Sequence, residues 1–196
     1  MKRPRYIEWF VEETGIRIKE NIPLKCYKID YKGDEAILDE WALHIRRNYI
    51  EDDELKEDAD LNEMSVDQYL REYIIPQETE HLGPTARSAD IAEILVADLL
   101  EFIMGYTVPR FKLKNRSGKN NSQQGTDVIA YKYKNTDKSP SNKDELIAAE
   151  VKASLSNNQY TPLENAIIDS HKDEHRLARS INYCRKRLNE LGKVSE

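Results

Sequence analysis

A charged pair on a short apolar strand is the feature that most constrains this chain. Residues 126–134 and 146–153 are two runs rich in β-branched residues and alanine, and the polar loop between them predicts two antiparallel strands. Because strand side chains alternate between faces, Glu150 and Lys152 project on one side and their apolar neighbours on the other. Burying charge is costly, so the pair is better explained by a functional role than by packing.

The function that these residues indicate is metal-assisted hydrolysis of a phosphodiester. If residues near 134 pair with residues near 143, Asp127 on the first strand faces Glu150 on the second. Two adjacent carboxylates bind a hard divalent cation, Mg²⁺ or Mn²⁺, which polarises a phosphate and lowers the pKa of a bound water. Lys152 can orient that water or stabilise the charge that develops on the phosphate.

The motif of Asp127 followed by Glu150-Val151-Lys152 resembles the core of the PD-(D/E)XK nuclease superfamily, with Thr126 where the superfamily has proline. The resemblance implies a helix before the first strand that carries a Glu completing the metal site, and Glu93 is the candidate. The implied catalytic residues are then Asp127, Glu150, Lys152 and Glu93, and the three carboxylates among them are the metal ligands. A surface Glu on an amphipathic helix is the alternative for Glu93.

The order of predicted elements is also similar to the αβββα part of that superfamily. The elements are a helix over 88–104, strands over 106–114, 126–134 and 146–153, and helical structure over 162–190. The expected fold class is therefore α/β (α+β), with a restriction-endonuclease-like core of helix, three-stranded mixed sheet and helix. Residues 87–196 are expected to form this core, and residues 1–86 an acidic, mostly helical N-terminal region.

The helix predicted over 88–104 has Ser88 as its expected N-cap and Gly105 just past its end. Its apolar stripe is predicted to include Leu95 and Leu99. The same helical period directs Glu101 to solvent.

The net charge of −6 hides an asymmetry. Residues 1–104 hold 13 basic and 25 acidic side chains, whereas residues 105–196 hold 17 basic and 11 acidic ones. A basic half that carries the motif is typical of nucleic-acid binding, although uneven solvated charge explains it equally well. The candidates for contacts with phosphates are Lys112, Lys114, Arg116, Lys119, Lys172, Arg176 and Arg179.

Within the superfamily, the layout is similar to the HamA family, the nuclease subunits of Hachiman anti-phage defence systems. The similarity lies in the acidic N-terminal part and in three segments: Ala89-Asp90-Ile91-Ala92-Glu93, Gly125-Thr126-Asp127 and Glu150-Val151-Lys152-Ala153-Ser154. It implies a DNA substrate and a superfamily 2 helicase partner, HamB. We interpret the acidic run 51–60 as a solvated loop or a partner-facing patch, and the acidic region 51–63 is then a candidate contact with that partner.

Several classes of protein do not fit the sequence. The longest apolar run, 94–100, is interrupted by Asp98 and is too short to cross a membrane, and we expect no signal peptide. Cys26 and Cys184 are isolated, so a reducing cytoplasm is the expected compartment. Two alternatives to a nuclease stay open: a non-catalytic nucleic-acid-binding subunit, or an assembly domain on the same scaffold.

Overall fold

The structure, a computed structural model, describes residues 3–15, 24–121, 125–154, 161–171 and 173–190, and these form a mixed α/β fold. The helices are α1 (Glu35–Arg47), α2 (Asp52–Leu61), α3 (Val66–Tyr69), α4 (Gly83–Asp98), α5 (Pro162–Ser170) and α6 (Asp173–Glu190). The strands are β1 (Phe10–Glu13), β2 (Cys26–Ile29), β3 (Val128–Lys132) and β4 (Glu145–Ala149). A π-helical turn extends α3 over Leu70–Ile74 and α4 over Leu99–Ile103, and 3-10 turns cover Arg5–Trp9 and Leu113–Asn115.

The chain divides into two compact units, Met1–Ile45 and Arg46–Glu196. In the first unit β1 and β2 pair antiparallel, and Trp41 of α1 stacks on Tyr6 with the ring centroids 5.4 Å apart. The second unit contains all the predicted site residues. This division does not test the boundary predicted between residues 86 and 87.

The pair of strands in the second unit has the register that the sequence predicts. β3 and β4 pair antiparallel with Ile129 opposite Ala148. Continued in both directions, this register places residue 134 opposite 143 and Asp127 opposite Glu150. The paired positions themselves run from Val128–Ala149 to Lys132–Glu145, so the register agrees with the predicted hairpin while the facing of the two carboxylates stays a prediction.

The third strand predicted over 106–114 is not formed. Thr107 makes a single antiparallel bridge with Tyr131, in which each backbone N–H donates to the other residue's carbonyl at 2.8 and 3.0 Å. Pro109 follows and has no N–H with which to continue a ladder. The expected three-stranded restriction-endonuclease core is therefore not confirmed: the sheet has two antiparallel strands and one added bridge.

Helix α4 starts earlier than predicted. It begins at Gly83, with Pro84 in the first turn, where an absent N–H loses no helical hydrogen bond. The predicted N-cap Ser88 is therefore wrong. At the other end Gly105 follows the π-helical turn with a φ of +74°, a conformation that glycine adopts readily, as predicted.

The buried side of α4 also differs from the predicted stripe. Ala97 and Leu100 pack on Val128 and Ala130 of β3 to form the core of the second unit, whereas Leu95 and Leu99 are only half-buried. Two carboxylates of the helix, Asp90 and Asp98, are fully buried. Apolar periodicity could not identify this face, since charged residues occupy part of it.

The acidic run after α1 is helical, so its interpretation as a loop is wrong. In α2, Leu55 and Ala59 are buried, and their spacing of four residues puts them on one side of the helix. Acidic side chains fill the first turn, where the helix dipole favours negative charge. The exposed acidic residues of α2 are Asp52, Asp53, Glu54, Glu57 and Asp60.

Candidate active site

Two predicted metal ligands, Glu93 and Asp127, meet around a lysine, and we call these three residues the Lys112 cluster. The Lys112 ammonium donates to Oε1 of Glu93 at 2.7 Å and to Oδ1 of Asp127 at 2.5 Å. The three side chains are only 14–18% exposed. Packing of α4 on β3 brings the two carboxylates together, because Glu93 lies in α4 and Asp127 directly precedes β3.

Burial sets the protonation of the Lys112 cluster. It raises the pKa of Glu93 to about 7, and the nearby Asp127 charge adds to the rise while Lys112 opposes it. Burial lowers the pKa of Lys112, but attraction to Glu93 and Asp127 outweighs burial, so the pKa of the ammonium is raised overall. Lys112 therefore stays charged, and Glu93 takes up a proton near neutral pH.

The other two predicted catalytic residues form the Lys152 cluster, which consists of Glu150, Lys152 and Asp169. The Lys152 ammonium donates to Oε1 of Glu150 at 2.5 Å and contacts Oδ2 of Asp169, on α5, at 2.8 Å. Glu150 is 8% exposed, so Lys152 is a largely desolvated partner of its carboxylate. Burial lowers the pKa of Lys152, but the hydrogen bonds with Asp169 and Glu150 outweigh it and raise the pKa overall.

A backbone hydrogen bond connects the two clusters. The N–H of Val151 donates to Oδ2 of Asp127 at 2.8 Å. The Asp127 side chain thus accepts from a backbone N–H that would otherwise continue the hydrogen-bond ladder between β3 and β4. Strand β4 accordingly ends at Ala149 rather than at the predicted residue 153. Asp127 consequently contacts the Lys112 ammonium with one carboxylate oxygen and the Glu150–Lys152 segment with the other.

Helix α6 is held against the residues that precede Asp127. The N–H of Thr126 donates to Oγ of Ser180 at 3.2 Å. Gly125 has a φ of +132°, and a Cβ there would lie 3.1 Å from the same hydroxyl oxygen. The sequence predicts room for the backbone at Gly125, and the structure identifies α6 as the element that approaches it.

The first four candidates for phosphate contacts pair instead with carboxylates of the second unit. Lys112 binds Glu93 and Asp127, Lys114 binds Glu51, Arg116 binds Asp90, and Lys119 binds Glu80. Their side chains are only 10–19% exposed. Part of the charge asymmetry along the sequence is therefore internal ion pairing between the acidic and basic segments.

The remaining candidates lie in the C-terminal helical region. Arg176 and Arg179 are exposed on α6, and Lys172 lies outside the described residues. Nucleic-acid contact stays a prediction for all seven basic residues.

Three further residues, Asp169, Arg110 and Asp98, form ion pairs that the sequence does not predict. Asp169, on α5, contacts Lys152. Arg110 donates to buried Asp98 at 2.6 Å and to Glu101 at 2.7 and 2.9 Å, so Glu101 does not point to solvent as predicted. No local sequence pattern predicts these ion pairs, since each joins separate elements of the fold.

The carboxylates of Glu93 and Asp127 suit a divalent cation that takes few of its ligands from the protein. Across the described ranges, no three Asp, Glu, His or Cys side chains lie close enough together to hold one metal ion. Glu93 and Asp127 nevertheless already share one cation, the Lys112 ammonium. Mg²⁺ is commonly held by one or two carboxylates with water and substrate oxygens completing its shell, so these two residues fit such an ion.

The fold and site define an α/β protein with two linked carboxylate–lysine clusters at the end of a β-hairpin. The family model of HamA matches residues 4–196, so the chain belongs to the HamA family, as the layout of its motifs predicts. Comparisons with curated proteins and with solved structures found no match. In the part of the chain that the structure describes, no helix is both long and apolar enough to span a membrane.

Proposed function

We propose that this chain is a metal-dependent nuclease that hydrolyses phosphodiester bonds of DNA. The observation that carries the proposal is the end of the β3–β4 hairpin, where Asp127 lies in register with Glu150 and accepts a hydrogen bond from Val151. This hydrogen bond joins the Asp127 carboxylate to the segment that carries Glu150 and Lys152. That combination is suited to binding a cation beside a phosphate.

Glu93 and Asp127 would hold the cation, since their carboxylates already converge on one positive charge. A bound Mg²⁺ or Mn²⁺ supplies Lewis-acid polarisation of the phosphate and a water of lowered pKa. Glu150 is the third predicted ligand, and in this conformation its carboxylate accepts from Lys152.

Lys152 is the residue that we assign to the phosphate. Its ammonium is held between Glu150 and Asp169, which fixes its direction and keeps it charged. A fixed positive charge beside a phosphate stabilises the negative charge that develops during in-line attack. The two carboxylates thus act on Lys152 as orienting groups.

Helix α6 is the surface that we propose for the DNA backbone. Arg176 and Arg179 are exposed there, while Ser180 in the same stretch of helix contacts the residues leading to Asp127. Phosphate contacts from exposed arginines give affinity without sequence information. A nuclease of this kind would bind DNA with strong salt dependence.

Membership of the HamA family supports a component of Hachiman antiviral defence, and such a component implies a partner in that system. We propose a helicase of the HamB type as this partner, and the exposed acidic residues of α2 as a contact with it. Asp52 is already bound by Arg46 and Arg47, so Asp53, Glu54 and Glu57 are the better residues to reverse. Assembly that survives this triple reversal would remove α2 from the interface.

The nuclease proposal is tested with the full chain, alone and with any helicase that co-purifies with it. Supercoiled plasmid and single-stranded DNA are incubated with Mg²⁺, Mn²⁺ or a chelator. Cleavage should require the metal and be lost in Glu150→Gln and Lys152→Met. The matched control is Lys143→Met, an exposed lysine in the β3–β4 connection, which should cleave normally.

Two other outcomes favour the alternatives. Binding of DNA that neither needs metal nor leads to cleavage would indicate a non-catalytic nucleic-acid-binding subunit. Absence of any effect on DNA, in the complex as well as alone, would indicate an assembly domain.

A further inference from the structure

The Lys112 ammonium occupies the position between Glu93 and Asp127 that a metal ion would need. It lies 2.7 Å from one carboxylate and 2.5 Å from the other, distances typical of strong charge-assisted hydrogen bonds. Both carboxylates are mostly buried, so water cannot replace this partner fully. The ammonium is therefore the counter-ion that holds this carboxylate pair in the metal-free protein.

We propose that Lys112 is a built-in competitor of the divalent cation: the ammonium and the metal use the same two carboxylates, and metal binds only as Lys112 leaves. The inference rests on the proposed function for the existence of the metal site. In the metal-free protein, the Lys112 ammonium closes the site. The apparent affinity for metal is then set by the exchange of the two cations.

The two cations compete for the same oxygens. The ammonium is bonded to Oε1 of Glu93 and Oδ1 of Asp127, and the other oxygen of Asp127 accepts from the Val151 N–H. A divalent ion that binds both carboxylates takes up the position of the ammonium, and the two positive charges would repel each other strongly at that spacing.

The charges and the anchoring of the segment allow the exchange. When both carboxylates are ionised, as at the alkaline pH of the titration below, one ammonium leaves a net charge of about −1, whereas a divalent ion neutralises the pair, so the charge balance favours the exchange. Arg110 and Lys114, on either side of Lys112, are held by their own carboxylates. The backbone therefore stays in place, and only the four-carbon stem of Lys112 has to swing out.

Calorimetric titration of the full chain with Mn²⁺ tests the competition. Lys112→Met keeps the packing of the stem and removes the ammonium, and it should bind Mn²⁺ at least about tenfold more tightly than the wild type, or about 1.4 kcal/mol. The titration is run at about pH 8.5, since protons also compete for carboxylate ligands. Lys143→Met is the matched control, because Lys143 is an exposed lysine in the β3–β4 connection, and the Mn²⁺ affinity of this variant should be unchanged.

A second readout uses the wild-type chain, in case Lys112→Met does not fold. Lysine acetylation is followed by mass spectrometry with and without saturating Mn²⁺. Lys112 should be labelled slowly in the metal-free protein and several-fold faster with Mn²⁺, while labelling of Lys114 stays constant. Mn²⁺ binding that leaves the labelling of Lys112 unchanged, or equal affinity in a folded Lys112→Met variant, overturns the competition.

The outcomes separate this inference from the nuclease proposal. Metal-dependent cleavage combined with unchanged labelling of Lys112 removes the competition and leaves the nuclease standing. Mn²⁺ binding that is unaffected in Glu93→Gln and Asp127→Asn places the metal elsewhere and overturns the competition. Absence of Mn²⁺ binding to the wild type and to Lys112→Met overturns both proposals.

Discussion

Removing Arg116 should destabilise the second unit strongly, because its partner Asp90 is only 1% exposed. The guanidinium binds Asp90 in a bidentate manner, with Nη1 at 2.8 Å from Oδ2, and Tyr49 donates its hydroxyl to Oδ2 at 2.9 Å. In Arg116→Met the carboxylate keeps the Tyr49 hydroxyl and loses its ion pair. Leaving a buried charge without its ionic partner costs about 3–5 kcal/mol, so we expect a loss of that size in the free energy of unfolding.

Urea denaturation measures this loss, provided that the probe reports the correct unit. Both tryptophans, Trp9 and Trp41, lie in the first unit, so far-ultraviolet circular dichroism is preferable to tryptophan fluorescence. Lys114→Met is the control, because its partner Glu51 is 61% exposed, and it should cost no more than about 1 kcal/mol.

A double variant tests whether the cost comes from the stranded charge. Asp90→Asn combined with Arg116→Met removes both charges and should recover part of the stability lost in Arg116→Met, since neither partner is then left ionised. If Arg116→Met lost less than about 1 kcal/mol, or if the double variant were no more stable than it, the assignment of a buried, essential ion pair would be refuted.

Three further predictions follow from the site. Asp169→Asn should slow DNA cleavage, because Asp169 holds the Lys152 ammonium in place; cleavage at the wild-type rate would contradict this positioning role. Burial raises the pKa of Glu93 from 4.5 to about 7, so between these two pH values the folded state binds a proton that the unfolded state has lost. The free energy of unfolding should therefore fall by about 3 kcal/mol as the pH rises through that interval, and Glu93→Gln should flatten this dependence in urea titrations. Gly125→Ala should lower the free energy of unfolding by about 1–3 kcal/mol, since φ is +132° and the new methyl group would meet the Ser180 hydroxyl; a neutral effect would show that this backbone relaxes freely.

The hairpin is the part of the site that could be predicted from the sequence. The alternation in β3 and β4 and the turn-forming residues between them are local signals, and a shift of one residue would turn every side chain to the opposite face. The register of Asp127 with Glu150 and the pairing of Glu150 with Lys152 follow from these signals. The HamA family match agrees with the same motif.

The basic segment 110–119 shows where prediction from the sequence ends. Its composition suited the end of a strand followed by solvent-facing cations, whereas the structure forms no strand over these residues and pairs their cations with carboxylates. Its cations lie against carboxylates that are distant in sequence, such as Asp90 and Glu51, so a one-dimensional count of charge could not distinguish internal pairing from a binding surface.

The sequence by itself determined which residues line the end of the hairpin, because strand alternation and pairing register depend on neighbours along the chain. Only the tertiary structure decided which cation meets which distant carboxylate: Lys112 between Glu93 and Asp127, and Lys152 beside Asp169. These partners come from separate elements whose approach depends on the packing of α4 and α5 as a whole. A buried charge accepts whichever opposite charge that packing brings within reach.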